Sequence, residues 1–235
     1  MSRAEVRGRA RWLLAEVVVV ILGVLIALWV DGVRQNRSDR ATEQFWLRSL
    51  LSEAQEDRRQ FEFTLSLYER RYQAQEELIQ LEGRLSTVTT DSLDALWSQA
   101  LSPGVTGFAD AALTSTLSSG GMGLIADEEL RLMLGEWPST RSAFLGWEAE
   151  YNRTLAASLM PSLRSRHALP SALGSAPMNG ASDPQALGRA LTDPEVVQSL
   201  RQLSSFWWYF DEIFATNRRD FLQRLEARIA EHIHP

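Results

Sequence analysis

Residues 12–30 read WLLAEVVVVILGVLIALWV, nineteen positions with a single charge, Glu16. A helix of that length rises about 28 Å, close to the hydrocarbon thickness of a bilayer, ~30 Å. The run is apolar on every side, whereas a helix packed on one core shows a polar stripe. Trp12 and Trp29 bracket it, at the two levels where amphipathic rings settle between lipid tails and water. The stretch predicts a transmembrane helix, and the lipid bilayer is the first expected partner. A cleaved signal peptide also starts with a basic segment and an apolar run. The end of this one, Ala27-Leu28-Trp29-Val30-Asp31, lacks small residues at the cleavage spacing, so an uncleaved anchor is expected.

Working outward, residues 1–11 form a short tail with Arg3, Arg7, Arg9 and Arg11, and Arg34, Arg37 and Arg40 follow the run. The balance favours a cytoplasmic N-terminus, with the body on the other side. Glu16 lies about one turn inside the apolar stretch. Carboxylates within a membrane are often functional, but so near the end a pairing with an arginine of the tail is the simpler reading. Gly23 and Ala27, four residues apart, leave room for a second helix to approach, which raises a homo-oligomer or a membrane partner protein as an expectation.

The remaining residues, 31–235, carry 20 Arg against 28 Asp and Glu, a net charge of -8. That acidic balance lacks the basic footprint that phosphate backbones require, so no nucleic-acid partner is expected. Cysteine is absent, which excludes disulfides, thiol catalysis and cysteine-ligated metals. All the basic residues are arginine, a bias of composition rather than a mechanism.

From Ser38 to Arg84 the only helix breaker is Gly83. Leu47, Leu51, Ala54, Phe61, Leu65, Tyr68, Tyr72 and Ile79 recur at helical spacing, a heptad-like seam interrupted by Arg58 and Gln75. Near the other end Asp193-Pro194 supplies a cap and a first-turn proline. Leu200, Leu203, Trp207, Phe210, Phe214, Phe221, Leu225 and Ile229 then hold a similar spacing. The two long amphipathic segments are expected to pack on each other, with shorter helices between them. Asp91 is expected to cap a helix reaching Leu101, residues 109–118 look helical, and Ser118–Gly123 reads as a turn. Asp127 is expected to cap a helix that Pro138 kinks or stops, with another from Ser139 to Met160. Residues 165–193, with Pro170, Pro177 and Pro184, read as a loop-rich linker. The class is all-α: an N-terminal transmembrane helix continuing into an elongated antiparallel helical bundle.

The run Glu16-Val-Val-Val-Val-Ile-Leu-Gly-Val-Leu-Ile-Ala-Leu, with a charged helix after it, resembles a family of uncharacterised bacterial single-pass membrane proteins. The stretch from Thr114 to Arg131, a Gly-rich turn before an acidic helix start, is similar to the same family. The resemblance implies a location in the bacterial inner membrane and a helical outer domain, here periplasmic, and it brings no activity with it.

Chemistry-bearing constellations are sparse. Gly120, Gly121 and Gly123 lack the strand and the Lys-Ser/Thr of a phosphate loop and read as a helix–helix turn. His232 and His234 point apart on a helix and do not make a metal pair; His167 stands alone. Glu53, Glu56 and Asp57 alternate with Arg58 and Arg59 in the manner of a solvated helix face, and Asp127, Glu128 and Glu129 suit a helix N-terminus. No Gly-x-Ser-x-Gly elbow is present. An enzyme, a cofactor and a metal are therefore not expected. The most unusual run is Phe206-Trp207-Trp208-Tyr209-Phe210, which covers every side of a helix. Core packing accounts for part of it, and Trp207, Trp208 and Tyr209 are candidates for a ligand or partner surface. The sequence thus predicts a membrane-anchored helical protein acting through protein–protein contact or oligomerisation. The alternative is an extracytoplasmic sensor that binds a small ligand between helices.

Overall fold

The computed structural model describes residues 3–81, 84–85, 88–104, 107–108, 110–173, 176–178 and 184–233, with side chains from residue 21 onward except at 176 and 184. Within these residues the protein is all-helical apart from one pair of two-residue strands, β1 (Ala172–Leu173) and β2 (Ala176–Pro177).

α1 (Arg3–Gln80) is one uninterrupted helix of 78 residues, about 117 Å long at 1.5 Å per residue. Its buried stripe runs Leu47, Leu50, Ala54, Asp57, Phe61, Thr64, Tyr68, Arg71, Gln75 and Leu78, in strictly alternating steps of three and four. The seam expected from sequence is thus corrected in phase. Leu51, Tyr72 and Ile79 are only half-buried flanks, and Leu50, Arg71 and Leu78 take the inward positions. Polar residues at four seam positions, Asp57, Thr64, Arg71 and Gln75, drew the apolar reading onto their neighbours.

The bundle has four columns. α1 ascends. α2 (Thr90–Ala100) and α3 (Ala111–Ser118) descend beside it, ending in a 3-10 turn (Gly121–Leu124). α4 (Glu128–Thr154), a π-helical turn (Leu155–Leu159) and α5 (Met160–Ser165) ascend again. After α6 (Pro184–Ala190), which packs on α2, the chain descends through α7 (Pro194–Tyr209), a second π-helical segment (Phe210–Ala215) and α8 (Thr216–His232). The expected pairing of the two long amphipathic segments is present. The Gln44 amide donates to the His232 carbonyl (2.9 Å), Arg58 meets Glu226 (2.6 Å), Arg219 meets Glu62 (2.7 Å), and Tyr72 stacks on Trp207 at 5.7 Å. Rising α1 numbers pair with falling α7–α8 numbers, so the two are antiparallel.

Several local expectations change. Thr89, not Asp91, caps α2, its side chain accepting from the Ser92 amide. Pro138 lies inside α4 without ending it. Trp137, Arg141 and Phe144 anchor that helix in the core on either side of the proline, and tertiary packing outweighs the roughly 3 kcal/mol penalty of an interior proline. The segment 165–193 is less loop-like than its composition suggests: Ala168, Ala186, Leu187, Ala190 and Leu191 are core residues. His167, at a φ of 50°, follows α5 as the left-handed residue of a Schellman cap. The His167 amide donates to Arg164 O (3.1 Å) and the Ala168 amide to Leu163 O (2.9 Å). Gly120, at a φ of 76°, makes the turn between α3 and α4 as expected.

Among the described residues no helix is long and apolar enough to cross a membrane. The expected anchor, residues 12–30, falls partly outside them, since side chains through Val20 are not described.

Candidate functional site

Three regions hold the residues singled out from sequence or brought together by folding. The first is the head of α1. Trp12 and Glu16 lie outside the residues whose side chains are described. Gly23, Ala27 and Trp29 are exposed, as are Ile21, Leu22, Val24, Leu25, Ile26, Leu28 and Val30. A Cβ added at Gly23 would meet nothing within 4 Å. Ten consecutive exposed positions sample every side of the helix, so no single groove of the bundle covers them.

The second region is the aromatic run, which the fold divides. Phe206, Trp207 and Phe210 turn inward, with Phe210 fully buried at 4.2 Å from the Trp147 ring and Trp207 half-buried against Tyr72. Trp208 stays 67% exposed and Tyr209 and Ile213 are exposed beside it. Of the three candidates, Trp207 therefore belongs mainly to packing, while Trp208 and Tyr209 form surface. The π-helical segment begins at the end of this run, and such turns recur at functional sites. On its flank, between α4 and α8, opens a cleft of about 810 Å³ with Thr140, Ala143, Ile213, Phe214, Asn217 and Phe221 in its walls.

The third region was misread from sequence. Glu53 and Asp57 are not on a solvated face: Asp57 is 0% exposed and Glu53 is buried. Asp57 accepts from the Trp137 indole (2.6 Å), from Arg141 Nε (3.2 Å) and from Arg218 Nη2 (2.8 Å to one oxygen, 3.0 Å to the other). Glu53 accepts from the Ala112 amide (2.6 Å) and from Arg141 Nη2 (3.5 Å), so it caps the N-terminus of α3, where Asp110 makes no side-chain cap. Arg218 completes the cluster by donating to Thr140 Oγ1 (2.9 Å) and lying over the Phe108 ring (4.7 Å). Burial pulls the Arg218 guanidinium below its ordinary value, with Asp57 opposing. Two carboxylates face two guanidiniums, and every column of the bundle contributes. Arginine at 141 and 218 supplies the forked donors that such a crossing needs. Within the segment Glu56 and Arg59 keep a surface ion pair, at i,i+3 rather than the i,i+4 spacing typical of a solvated face. Residue type does not separate Asp57 from Glu56; the phase of the seam, set by Leu47, Leu50, Ala54 and Phe61, does.

A smaller polar layer sits above it, where the two apolar clusters of the core meet. Tyr68 donates to Glu148, and Gln75 donates to Ala100 O (2.9 Å) and the Tyr151 hydroxyl (2.8 Å). The amide of Asn152 holds Gly104 at both its N–H (3.0 Å) and its C=O (3.1 Å). Gly104 is required there, because a Cβ would stand 2.5 Å from Glu148 Oε1. Burial raises the Tyr151 hydroxyl above its ordinary value, with Arg71 and Gln75 opposing.

Among the described residues no group of three or more His, Cys, Asp or Glu is placed to hold a metal ion. His232 lies 3.3 Å from Asp127, the capping residue of α4, and His234 lies outside the described residues. Asp127 accepts from the Leu130 amide (2.6 Å) and meets Arg228 (2.7 Å), which fulfils the role expected for an acidic helix start. No family model, no curated protein and no solved structure matches this chain.

Proposed function

We propose that the protein is a single-pass, membrane-anchored helical module that works by protein–protein contact or oligomerisation rather than by catalysis. The observation that carries this reading is the head of α1. Ile21 to Val30 is exposed on all sides, while the same helix goes on to supply one column of the core. An apolar surface all round a helix suits lipid, not water. The contact surface we assign to Trp208, Tyr209 and Ile213, exposed large side chains gathered at the π-helical segment. The orientation proposed is N-terminus in the cytoplasm and bundle in the periplasm, which the four arginines ahead of the apolar run support. Alkaline carbonate treatment of membranes bearing the full chain tests the anchor: the protein should stay with the pellet, and release into the supernatant would end the proposal. Alkaline phosphatase fused after the bundle should be active in the proposed orientation.

A second reading, a sensor of a small ligand, is favoured by the cleft between α4 and α8, whose volume of about 810 Å³ lies within the range of small-molecule sites. A filling change at its wall, Ala143→Trp, should abolish signalling without unfolding the bundle if this reading holds.

A further inference from the structure

On α1, Phe63 is 63% exposed, and Leu67 is exposed four residues on. Ser52, Arg59 and Arg70 lie exposed on the same face, because positions 52, 59, 63, 67 and 70 follow the helical repeat. This stripe is turned away from Arg58, Glu62 and Tyr72, the residues of α1 that meet α7 and α8. Its charged members are arginines. Arg59 has Glu56 as a surface partner, and Arg70 forms no ion pair among the described residues.

Elsewhere on the bundle, the cleft of about 810 Å³ between α4 and α8 runs on into a second hollow of about 330 Å³, and Glu136, Phe221 and Arg224 line both. The two form one groove, from Glu129 to Ala143 along α4, about 21 Å long. Met133, Ile213, Phe214 and Phe221 give it an apolar lining, and the small Ala143 and Ala227 leave it open. Its lips carry Glu129, Glu136, Asp220 and Glu231 against Arg224 and Arg228. Arg228 is already met by Asp127, Glu129 and Glu231, and Arg218 at the back of the groove is answered by Asp57. Glu136 and Asp220 form no ion pair among the described residues. The groove is acidic where the stripe is basic.

Contacts inside the bundle fix the height of each surface. α1 meets α8 at Arg58–Glu226 and Glu62–Arg219 and meets α7 at Tyr72–Trp207, so rising numbers on one match falling numbers on the other. Arg59 is therefore level with the turn that starts at Asp220, and Leu67 with Ile213. Ser52, between the Gln44–His232 and Arg58–Glu226 contacts, is level with Ala227. On α4, Asp57 meets Trp137 and Tyr68 meets Glu148, which sets Ala143 level with Phe63. Copies anchored in one bilayer are related by axes along its normal or by shifts in its plane, so only surfaces at equal height can meet. The ridge and the groove satisfy that condition.

We infer that neighbouring copies join side by side, the Arg59–Phe63–Leu67 stripe of one seated in the α4–α8 groove of the next. Phe63 enters beside Ala143, Leu67 lies against Ile213, and Arg59 faces the Glu136 and Asp220 lips. The two surfaces differ, so the contact is heterologous and builds a ring or an open row, not a closed pair. The inference rests on the proposed anchor, and it names a second copy as the occupant of the contact surface that includes Ile213.

The chain has no cysteine, so thiols placed on the two surfaces report the contact without background. Two singly substituted full-length proteins are mixed in the same phosphatidylcholine vesicles and treated with a short bis-maleimide. Phe63→Cys should join Ala143→Cys, and Ser52→Cys should join Ala227→Cys; all four positions are exposed. The exchanged pairs, Phe63→Cys with Ala227→Cys and Ser52→Cys with Ala143→Cys, are about 15 Å out of step and should stay apart. Adding Arg59→Glu should cut the first cross-link about tenfold, and Glu136→Arg with Asp220→Arg in the neighbour should restore it. Phe63→Cys joining itself, or exchanged pairs joining as readily as matched ones, would overturn the inference. So would no joining at all, the result expected where a small ligand or a different protein fills the groove. Failure to join in a protein that stays in the carbonate pellet removes the row and keeps the anchor; release from the pellet removes both.

Discussion

Replacing Asp57 with Asn keeps the size of the side chain and removes one of the two negative charges that face Arg141 and Arg218. Both guanidiniums remain buried, with Glu53 as the only carboxylate, and Glu53 is already shared with the α3 amides. The new amide can still accept from one or two of the three donors that Asp57 serves, but its NH2 group would point at a guanidinium. Leaving a buried charge without its partner costs about 3–5 kcal/mol. In a bundle of this size each kcal/mol moves Tm by roughly 2–4 °C, so a fall of about 6–20 °C is expected. The assay is thermal unfolding of the full chain followed by circular dichroism, with Glu56→Gln as the neighbouring control. Glu56 pairs on the surface with Arg59, and its loss should change stability by no more than about 0.5 kcal/mol. Adding Arg218→Met to Asp57→Asn removes one charge of each sign, and the pair should cost less than the sum of the two single changes, by about 1–3 kcal/mol. If Asp57→Asn matched the control, or the double change were simply additive, the four-column ionic crossing would not be what holds the bundle in register.

Gly104→Ala would drive a methyl group to 2.5 Å from Glu148 Oε1 and 2.7 Å from the Tyr68 hydroxyl; a loss of about 1–3 kcal/mol in chemical denaturation is expected, against little change for Gly146→Ala. His167→Gly should stabilise by about 1 kcal/mol, because φ of 50° costs glycine nothing. Trp207→Ala should lower Tm through loss of the stack on Tyr72, whereas Trp208→Ala should leave Tm unchanged and weaken cross-linking to a partner. For pH, the Asp127 carboxyl is held below its ordinary value chiefly by the Leu130 amide, with burial opposing and Arg228 and His232 assisting. Its stabilisation is therefore complete above the unfolded value, about 3.9, and is lost only as the pH falls through the lower folded one. Asp127→Ala should cost about 1 kcal/mol at neutral pH and progressively less below pH ~3.9, as urea titrations at several pH values would register.

The helical class, the pairing of the two long segments, the Asp193-Pro194 start of α7 and the Asp127 cap of α4 could all be read from the chain, because each is written in local spacing or capping chemistry. The core phase of α1 could not, for a physical reason. Periodicity counts apolar residues, and this seam places Arg71 in the interior along with Asp57 and Gln75, whose hydrogen-bond partners lie 25 to 161 residues away. The same blindness hid the ionic crossing. Asp57 and Glu56 are neighbours of one type; the phase of the seam turns Asp57 inward, and the partners brought in by α4 and α8 satisfy it there. Pro138 misled in the opposite sense, since a strong local breaker was overruled by Trp137 and Arg141 beside it. The aromatic run was legible as unusual, and its division into inward and outward halves followed from the side of α7 that meets Tyr72.

The up-down-up-down path returns His232 to Gln44, so the polypeptide's late residues sit at the foot of the bundle, by the stem that leads to the apolar head of α1. On the proposed anchoring of that head in lipid, fourteen residues of helix separate Val30 from this foot, about 21 Å. The crown, at Leu81, stands roughly 55 Å farther out. A label joined after the last helix would thus ride close to the bilayer, and one inserted beyond Leu81 would ride near the summit. On that proposal the molecule would be its own measuring rod for how far from the membrane a neighbour must be to touch it.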